Sequence, residues 1–197
     1  ATPGAGKTRM AAELASRLLK QDRIDLVMCF APSCQVVDGF RSTFAEVLGR
    51  RLDGQIGAVG TAFTYQAMEY RDEGFWQLLD DYRVLVVFDE IHHCAGHDPL
   101  LSNAWGQQIL HRIQDRAAFT LALSGTPWRS DDRAIVLARY STPEGYLICD
   151  YRYGLKEAIA DGVCRSPRIV LLDNQKVKLT EEMGPESTVR MFPSIAK

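Results

Sequence analysis

Apolar residues along this chain fall into short continuous runs that alternate with segments of helical spacing. Residues 84–88 are all apolar, which is typical of a strand buried on both faces. Met10, Leu14 and Leu18 recur every four positions, which predicts an amphipathic helix. Strands are expected over 25–31, 55–60, 83–88, 118–123, 146–150 and 168–172. Helices are expected over 7–20, 34–50, 64–70, 75–80, 98–115, 131–140 and 155–160.

This alternation predicts an α/β fold with a mostly parallel central sheet and helices on both faces. A chain of 197 residues that is 46% hydrophobic is large enough for one domain with a full core. The pattern decays near residue 174. We therefore expect one domain over 1–173 and, over 174–197, a linker or the start of an insertion or second domain.

Net charge, apolar runs and cysteine usage each argue against certain classes of protein. The net charge of −2 argues against a histone-like or purely electrostatic nucleic-acid binder, although a local basic patch would be sufficient for binding. No apolar run approaches the roughly 18 residues of a membrane span, and neither a membrane span nor a signal peptide is expected. The five scattered cysteines are typical of reduced thiols, so a cytoplasmic protein without membrane attachment is expected.

The first chemical feature is a glycine-rich turn at the beginning of the chain. A turn of this kind that runs into a helix aims backbone N–H groups at a phosphate, where the helix dipole adds positive charge. Lys7 can reach the β- and γ-phosphates, and the Thr8 hydroxyl can bind Mg²⁺. The candidate nucleotide-binding residues are Pro3, Gly4, Ala5, Gly6, Lys7, Thr8 and Arg9. Such loops follow a buried strand, so we expect the chain to be a fragment numbered from inside the loop.

The second feature is a pair of carboxylates directly after the apolar run. Asp89 and Glu90 follow the expected strand at its carboxyl end, where open α/β sheets bind ligands. Asp89 would join Thr8 on the metal, and Glu90 would orient or deprotonate the attacking water. Lys7, Asp89 and Glu90 are thus the catalytic candidates, with ATP and Mg²⁺ as cofactors. The alternative is a surface acidic pair and an unrelated glycine turn.

Several short blocks, in their order and spacing, resemble superfamily 2 helicases and translocases. The beginning of the chain matches that family's first motif, Ala-x-x-Gly-x-Gly-Lys-Thr, and residues 89–92 match its Asp-Glu-x-His box. Three further blocks resemble the two backbone-contacting motifs and the third motif: 31–33, 60–66 and 124–129. The resemblance covers roughly residues 1–130 and implies the first RecA-like domain of a P-loop NTPase motor.

The double histidine at 92–93 and the segment 151–162 are similar to a subgroup of restriction-enzyme translocase subunits and bacterial or phage helicases. The resemblance implies a second RecA-like domain that carries an arginine finger, for which residues 163–197 are too few. An arginine finger is worth about 10³–10⁵ in rate. We therefore expect the segment 1–197 alone to bind nucleotide weakly and hydrolyse it poorly.

The resemblance also implies roles for residues outside the phosphate site. Coupling between the nucleotide and the nucleic-acid groove would fall to His92, His93, Ser124 and Thr126. Contacts to nucleic-acid phosphates or sugars would fall to Ser33, Thr64, Tyr65, Gln66 and Arg129. A salt bridge is an equal alternative for Arg129, and simple packing is one for His93.

A metal site and base-stacking aromatic residues are two further interpretations that the sequence favours less. A metal cluster of His92, His93, Cys94 and His97 does not match the usual zinc spacings. Trp105, Trp128 and Tyr65 could stack on bases, but packing in the core or at an interface is the commoner use of such residues.

The sequence thus predicts a nucleic-acid-dependent ATPase motor that prefers DNA to RNA. An RNA helicase and a nucleotide-switched regulatory ATPase remain as alternatives.

Overall fold

A computed structural model describes residues 1–2, 4–96 and 102–164, together with the backbone of residues 176–183 and 186–193. The chain divides into two units, residues 1–164 and 165–197, which are described separately. The first unit contains the helices α1 (Lys7–Lys20), α2 (Cys34–Leu48), α3 (Glu73–Asp81), α4 (Ala104–Gln108) and α5 (Leu155–Ala160). Its strands are β1 (Leu26–Ala31), β2 (Gly60–Thr64), β3 (Val84–Phe88), β4 (Phe119–Ala122), β5 (Arg139–Tyr140) and β6 (Leu147–Ile148).

The central sheet has four parallel strands in the order β2-β1-β3-β4. Parallel strands need crossover connections, and α2, α3 and α4 supply them between successive strands. β5 and β6 form a separate antiparallel pair. The predicted α/β class with a parallel central sheet is confirmed.

The sheet is covered by helices on both faces, as predicted. Side chains of a strand alternate between faces, so β1 turns Val27 and Cys29 toward α1 and α2. Its other face, with Met28 and Phe30, packs against α3 and the turn that follows α4. All five residues of β3 are buried, as the unbroken apolar run indicated.

Two predicted elements are wrong. Residues 55–60 do not form a strand, because the backbone turns there, with the Ala58 amide donating to the Gln55 carbonyl, and Ile56 is 98% exposed. The strand begins instead at Gly60, where pairing with β1 starts. Residues 131–140 are not helical: Ile135 forms a β-bridge with Ala95, and its amide donates to the Tyr140 hydroxyl.

The helix predicted over 98–115 is shorter in the described residues. Asn103 caps α4 by accepting a hydrogen bond from the Gly106 amide, and α4 continues as a π-helical turn over Ile109–Ile113. Residues 97–101 lie outside the described part, as does the strand predicted over 168–172.

The second unit contains two strands, β7 (Lys176–Met183) and β8 (Glu186–Pro193), which pair antiparallel along their whole length. The prediction that residues 174–197 are a linker, or begin an insertion or second domain, remains a prediction. Among the described helices, none has the length and apolarity that crossing a membrane requires.

Candidate active site

The glycine-rich turn leads directly into α1. Gly4 and Gly6 have φ angles of 78° and 77°, in the left-handed region that glycine adopts without a steric penalty. Gly6 is the N-cap of α1, where it offers no side chain to the helix amides, and the first turn of α1 has no acidic residue. The amides at the start of α1 are therefore available for an anionic ligand. Pro3 lies outside the described residues.

The carboxylates stand at the carboxyl end of β3. The Asp89 amide donates to the Phe30 carbonyl, so the ladder between β1 and β3 continues to this residue. Asp89 is only 7% exposed, and its Oδ1 atom has no hydrogen-bond partner within the described structure. Glu90 has a φ of 48°, an uncommon backbone conformation for a residue with a side chain. Strained conformations of this kind cluster at functional sites.

The start of α1 and the acidic pair after β3 are in contact. The Lys7 Nζ lies 3.2 Å from the Glu90 Oε1, and both side chains are largely shielded from solvent. They border a cavity of about 390 Å³. The residues that line it are Gly4, Gly6, Lys7, Thr8, Arg9, Thr43, Asp89 and Glu90. The expected proximity of Lys7 and Asp89 is therefore found in the structure.

Thr43 is a lining residue that the sequence analysis missed. It lies on α2, whose apolar pattern marks only the side that packs on the sheet. No local signal separates Thr43 from other polar residues of that helix. Only the packing of α2 beside α1 brings it to the cavity.

The pKa values of Asp89 and Glu90 are shifted in opposite directions. Burial raises the pKa of Asp89, and repulsion from Glu90 adds to this effect, while Lys7 opposes it. Burial would also raise the pKa of Glu90, but the Gly125 amide, Lys7 and His92 outweigh it and lower that pKa. A buried anionic oxygen without a partner is costly, and Mg²⁺ binds oxygen ligands. Asp89 and the Thr8 hydroxyl on the same cavity therefore fit a magnesium ion.

His92 connects the carboxylates to the segment after β4. Its Nδ1 lies 2.8 Å from the Ser124 Oγ and 3.3 Å from the Glu90 Oε2, and the Thr126 Oγ1 lies 3.4 Å from both ring nitrogens. The Gly125 amide donates to the Glu90 Oε2 at 3.1 Å. The structure thus brings together three of the four predicted coupling residues. Burial and the nearby His93 lower the pKa of His92.

His93 lies at the edge of this cluster. Its side chain is exposed, and its ring packs against the His92 ring with centroids 4.4 Å apart. This arrangement matches the packing alternative for His93. Within the described residues no three metal-binding side chains come together, and His97 lies outside them.

Arg129 is engaged within the protein. Its guanidinium donates to the His92 carbonyl at 2.6 Å and forms two hydrogen bonds to Asp131, at 2.8 and 2.6 Å. The geometry favours the salt-bridge alternative over a nucleic-acid contact. Arg129 instead supports the backbone of His92.

The structure corrects the prediction for Tyr65. Tyr65 is fully buried, so it cannot touch nucleic acid in this conformation. Its hydroxyl donates to the Asp89 carbonyl at 2.7 Å, and its ring stacks on Trp105. The apolar neighbours that bury Tyr65 come from distant segments, which local sequence does not reveal.

The other predicted nucleic-acid contacts are accessible to different degrees. Ser33 is exposed, and its hydroxyl caps α2 by accepting a hydrogen bond from the Val36 amide. Gln66 is exposed and Thr64 is half-buried. Their contacts with nucleic acid remain predictions. Packing is found for Trp105, whereas Trp128 is 65% exposed and does not belong to the core.

A parallel sheet with a glycine loop, a lysine at the helix start and an acidic pair at a strand end defines a P-loop NTPase domain. Its fold is that of the first RecA-like domain of superfamily 2 helicases and translocases. Residues 1–129 match the protein family described as "Type III restriction enzyme, res subunit". The chain belongs to this family.

Among curated proteins, the chain is similar to uncharacterized mycobacterial proteins. It is 30% identical to one from Mycobacterium leprae over 204 residues and 31% identical to one from Mycobacterium tuberculosis over 203 residues. Each match covers 97% of this chain but only 33% and 32% of the relative, so the chain spans about a third of their length.

A solved structure shares the fold. It is a nuclease-deletion mutant of the Type ISP restriction-modification enzyme LlaGI in complex with a DNA substrate mimic, with a TM-score of 0.54 and 12% identity. The match covers 83% of this chain and 18% of that one. At this identity the likeness concerns the fold alone.

Proposed function

We propose that this chain is the ATP-binding lobe of a nucleic-acid motor that translocates along or unwinds DNA. The observation that carries the proposal is the shared cavity of Lys7, Thr8, Asp89 and Glu90 at the start of α1. Lys7 and Thr8 lie far from Asp89 and Glu90 in the sequence. Together the four side chains supply one cation, one hydroxyl and two carboxylates. That set serves phosphoryl transfer with a metal ion.

Each of these residues has a distinct task in the proposed reaction. The amides at the start of α1 and Lys7 bind the phosphates, while Thr8 and Asp89 hold the metal. Magnesium in that position supplies charge compensation for the phosphates. Because the pKa of Glu90 is lowered, Glu90 is ionised at neutral pH and orients the attacking water through a charged acceptor.

His92 and its partners Ser124 and Thr126 relay whether nucleotide is bound at this site. Glu90 touches both Lys7 and His92, and His92 touches Ser124. A change in the partner of Glu90 therefore alters a hydrogen-bonded chain that ends on the segment after β4. In the proposed motor this segment and the turn with Thr64 and Gln66 face the nucleic acid.

DNA is the proposed substrate, with RNA as the alternative. The family takes its description from a restriction enzyme subunit, and the solved structure of similar fold holds a DNA substrate mimic. The longer relatives leave room for the second RecA-like domain and its arginine finger, which we propose as the intramolecular partner. We propose a cytoplasmic location for this bacterial or phage-encoded protein.

The test is the ATPase rate of the full-length protein with single-stranded DNA, duplex DNA and RNA at one salt concentration. We expect DNA of either form to stimulate hydrolysis more than RNA. Stimulation by RNA alone would replace the DNA proposal with an RNA helicase. Nucleotide binding without affinity for any of the three would support a regulatory ATPase instead.

A further inference from the structure

The buried Tyr65 connects two parts of the molecule that the proposed function keeps separate. It is the first residue of the 3₁₀ turn Tyr65–Tyr70, which follows β2 directly. The candidate nucleic-acid contacts Thr64 and Gln66 are its immediate neighbours in the chain. The sheet order places β1 between β2 and β3, yet the Tyr65 hydroxyl reaches the carbonyl of Asp89 at the end of β3.

The acceptor of this hydrogen bond has a special position. The Asp89 carbonyl belongs to the peptide group that joins Asp89 to Glu90. The Tyr65 hydroxyl, 2.7 Å from that oxygen, therefore orients the peptide plane from which Glu90 departs with its left-handed φ of 48°. A non-glycine residue persists in that conformation only when its surroundings hold it there.

The tyrosine side chain is held firmly enough to act in this way. It is fully buried, and its ring stacks on Trp105 with centroids 5.4 Å apart and planes inclined by 19°. Burial raises the pKa of Tyr65 well above its ordinary value, so the hydroxyl keeps its proton and remains a donor. Cys94, which follows the 3₁₀ turn Ile91–His93, is buried in the same apolar cluster as Tyr65.

We propose that Tyr65 is a positioning residue that transmits nucleic-acid occupancy of the Thr64–Gln66 turn to the Asp89–Glu90 peptide. This inference rests on the proposed function. Contact of nucleic acid with Gln66 displaces the 3₁₀ turn, and Tyr65 moves with it because it is part of that turn. The hydrogen bond to the Asp89 carbonyl then changes, and the orientation of Glu90 follows.

The decisive variant is Tyr65→Phe in the full-length protein, because it deletes the hydroxyl and keeps the ring on Trp105. The measured quantity is the ratio of the ATPase rate with saturating DNA to the rate without it. We expect this ratio to fall about three- to tenfold, the change that one ordinary hydrogen bond produces. Tyr70→Phe is the matched control, since Tyr70 ends the same turn and is 79% exposed. It should leave the ratio at the wild-type value.

An unchanged ratio in Tyr65→Phe would overturn the proposal. This holds whether both rates stay at the wild-type values or fall by the same factor, and the latter case marks a merely structural role. A double-mutant cycle with Gln66→Ala adds a second measurement: if both residues act on one route, the combined loss of stimulation is smaller than the product of the single losses. Failure of the proposed function is a different result, namely absence of stimulation in the wild-type protein.

Discussion

Replacing Glu90 with glutamine is the most direct perturbation of the candidate active site. Glutamine has nearly the same shape as glutamate, so it can still accept the hydrogen bond from the Gly125 amide. It loses the negative charge that lies 3.2 Å from Lys7 and 3.3 Å from His92. The variant therefore removes the ionised acceptor for the attacking water while the cavity keeps its walls.

The expected loss of turnover is large and the expected loss of stability is small. Removing a group that orients or deprotonates the nucleophile costs about 10²–10⁴ in rate, or about 2.7–5.4 kcal/mol of barrier. The free energy of unfolding should fall by about 1 kcal/mol or less, because the Glu90 side chain is 25% exposed and its ion pair is partly solvated. Nucleotide affinity should be kept or increased, since Glu90 no longer competes with the phosphates for Lys7.

The assay is steady-state ATP hydrolysis by the full-length protein with saturating DNA, together with the dissociation constant of a fluorescent nucleotide. Glu73→Gln is the matched control, because Glu73 pairs with Arg112 and does not line the cavity. A Glu90→Gln rate within tenfold of wild type, with intact nucleotide binding, would refute the assigned role. A parallel collapse of nucleotide binding would show that Glu90 builds the pocket instead.

Three further predictions test the fold and the extent of the motor. Arg83 lowers the pKa of Asp25 from 3.8 to about 2, so the stabilisation by Asp25 is present above pH 3.8 and is lost as the pH falls toward 2. The difference in melting temperature between wild type and Asp25→Asn should accordingly be constant above about pH 5, shrink as the pH falls through 3.8 and vanish below about pH 2. Gly60→Ala places a Cβ 1.8 Å from the Val27 carbonyl oxygen at a φ of 155°, and should lower the free energy of unfolding by about 1–3 kcal/mol or more in denaturant titrations. Gly39→Ala, at an exposed position of α2 with open space around it, should instead raise it by about 0.5–1 kcal/mol, and equal effects of both variants would contradict the close approach of β2 to β1. Finally, the segment 1–197 alone should hydrolyse ATP about 10³–10⁵ times more slowly than the stimulated full-length protein; comparable turnover would remove the need for an arginine finger from a second domain.

Local signals in the chain were sufficient for the elements around the phosphate site. Helix α1 runs over the predicted residues 7–20, since Gly6 provides its start and apolar residues recur with helical spacing. The unbroken run 84–88 predicted a buried strand, and Asp89 and Glu90 follow it for the same reason. The parallel sheet, both covered faces and the meeting of Lys7 with the acidic pair follow from these patterns.

Contacts between distant segments decided the rest. The strand expected at 55–60 is displaced to Gly60, because pairing with β1 outweighs local propensity. Residues 131–140 bond to Ala95 and to the Tyr140 side chain in place of helical partners. Tyr65, predicted to contact nucleic acid, is a buried hydrogen-bond donor, and Thr43, which was not predicted, lines the cavity. Hydrophobic spacing and glycine conformation act within a few residues, so the amino-acid order alone yields the helix, the strand and the loop. Which side chains reach across the sheet depends on how those elements pack, and that was settled only by the folded chain.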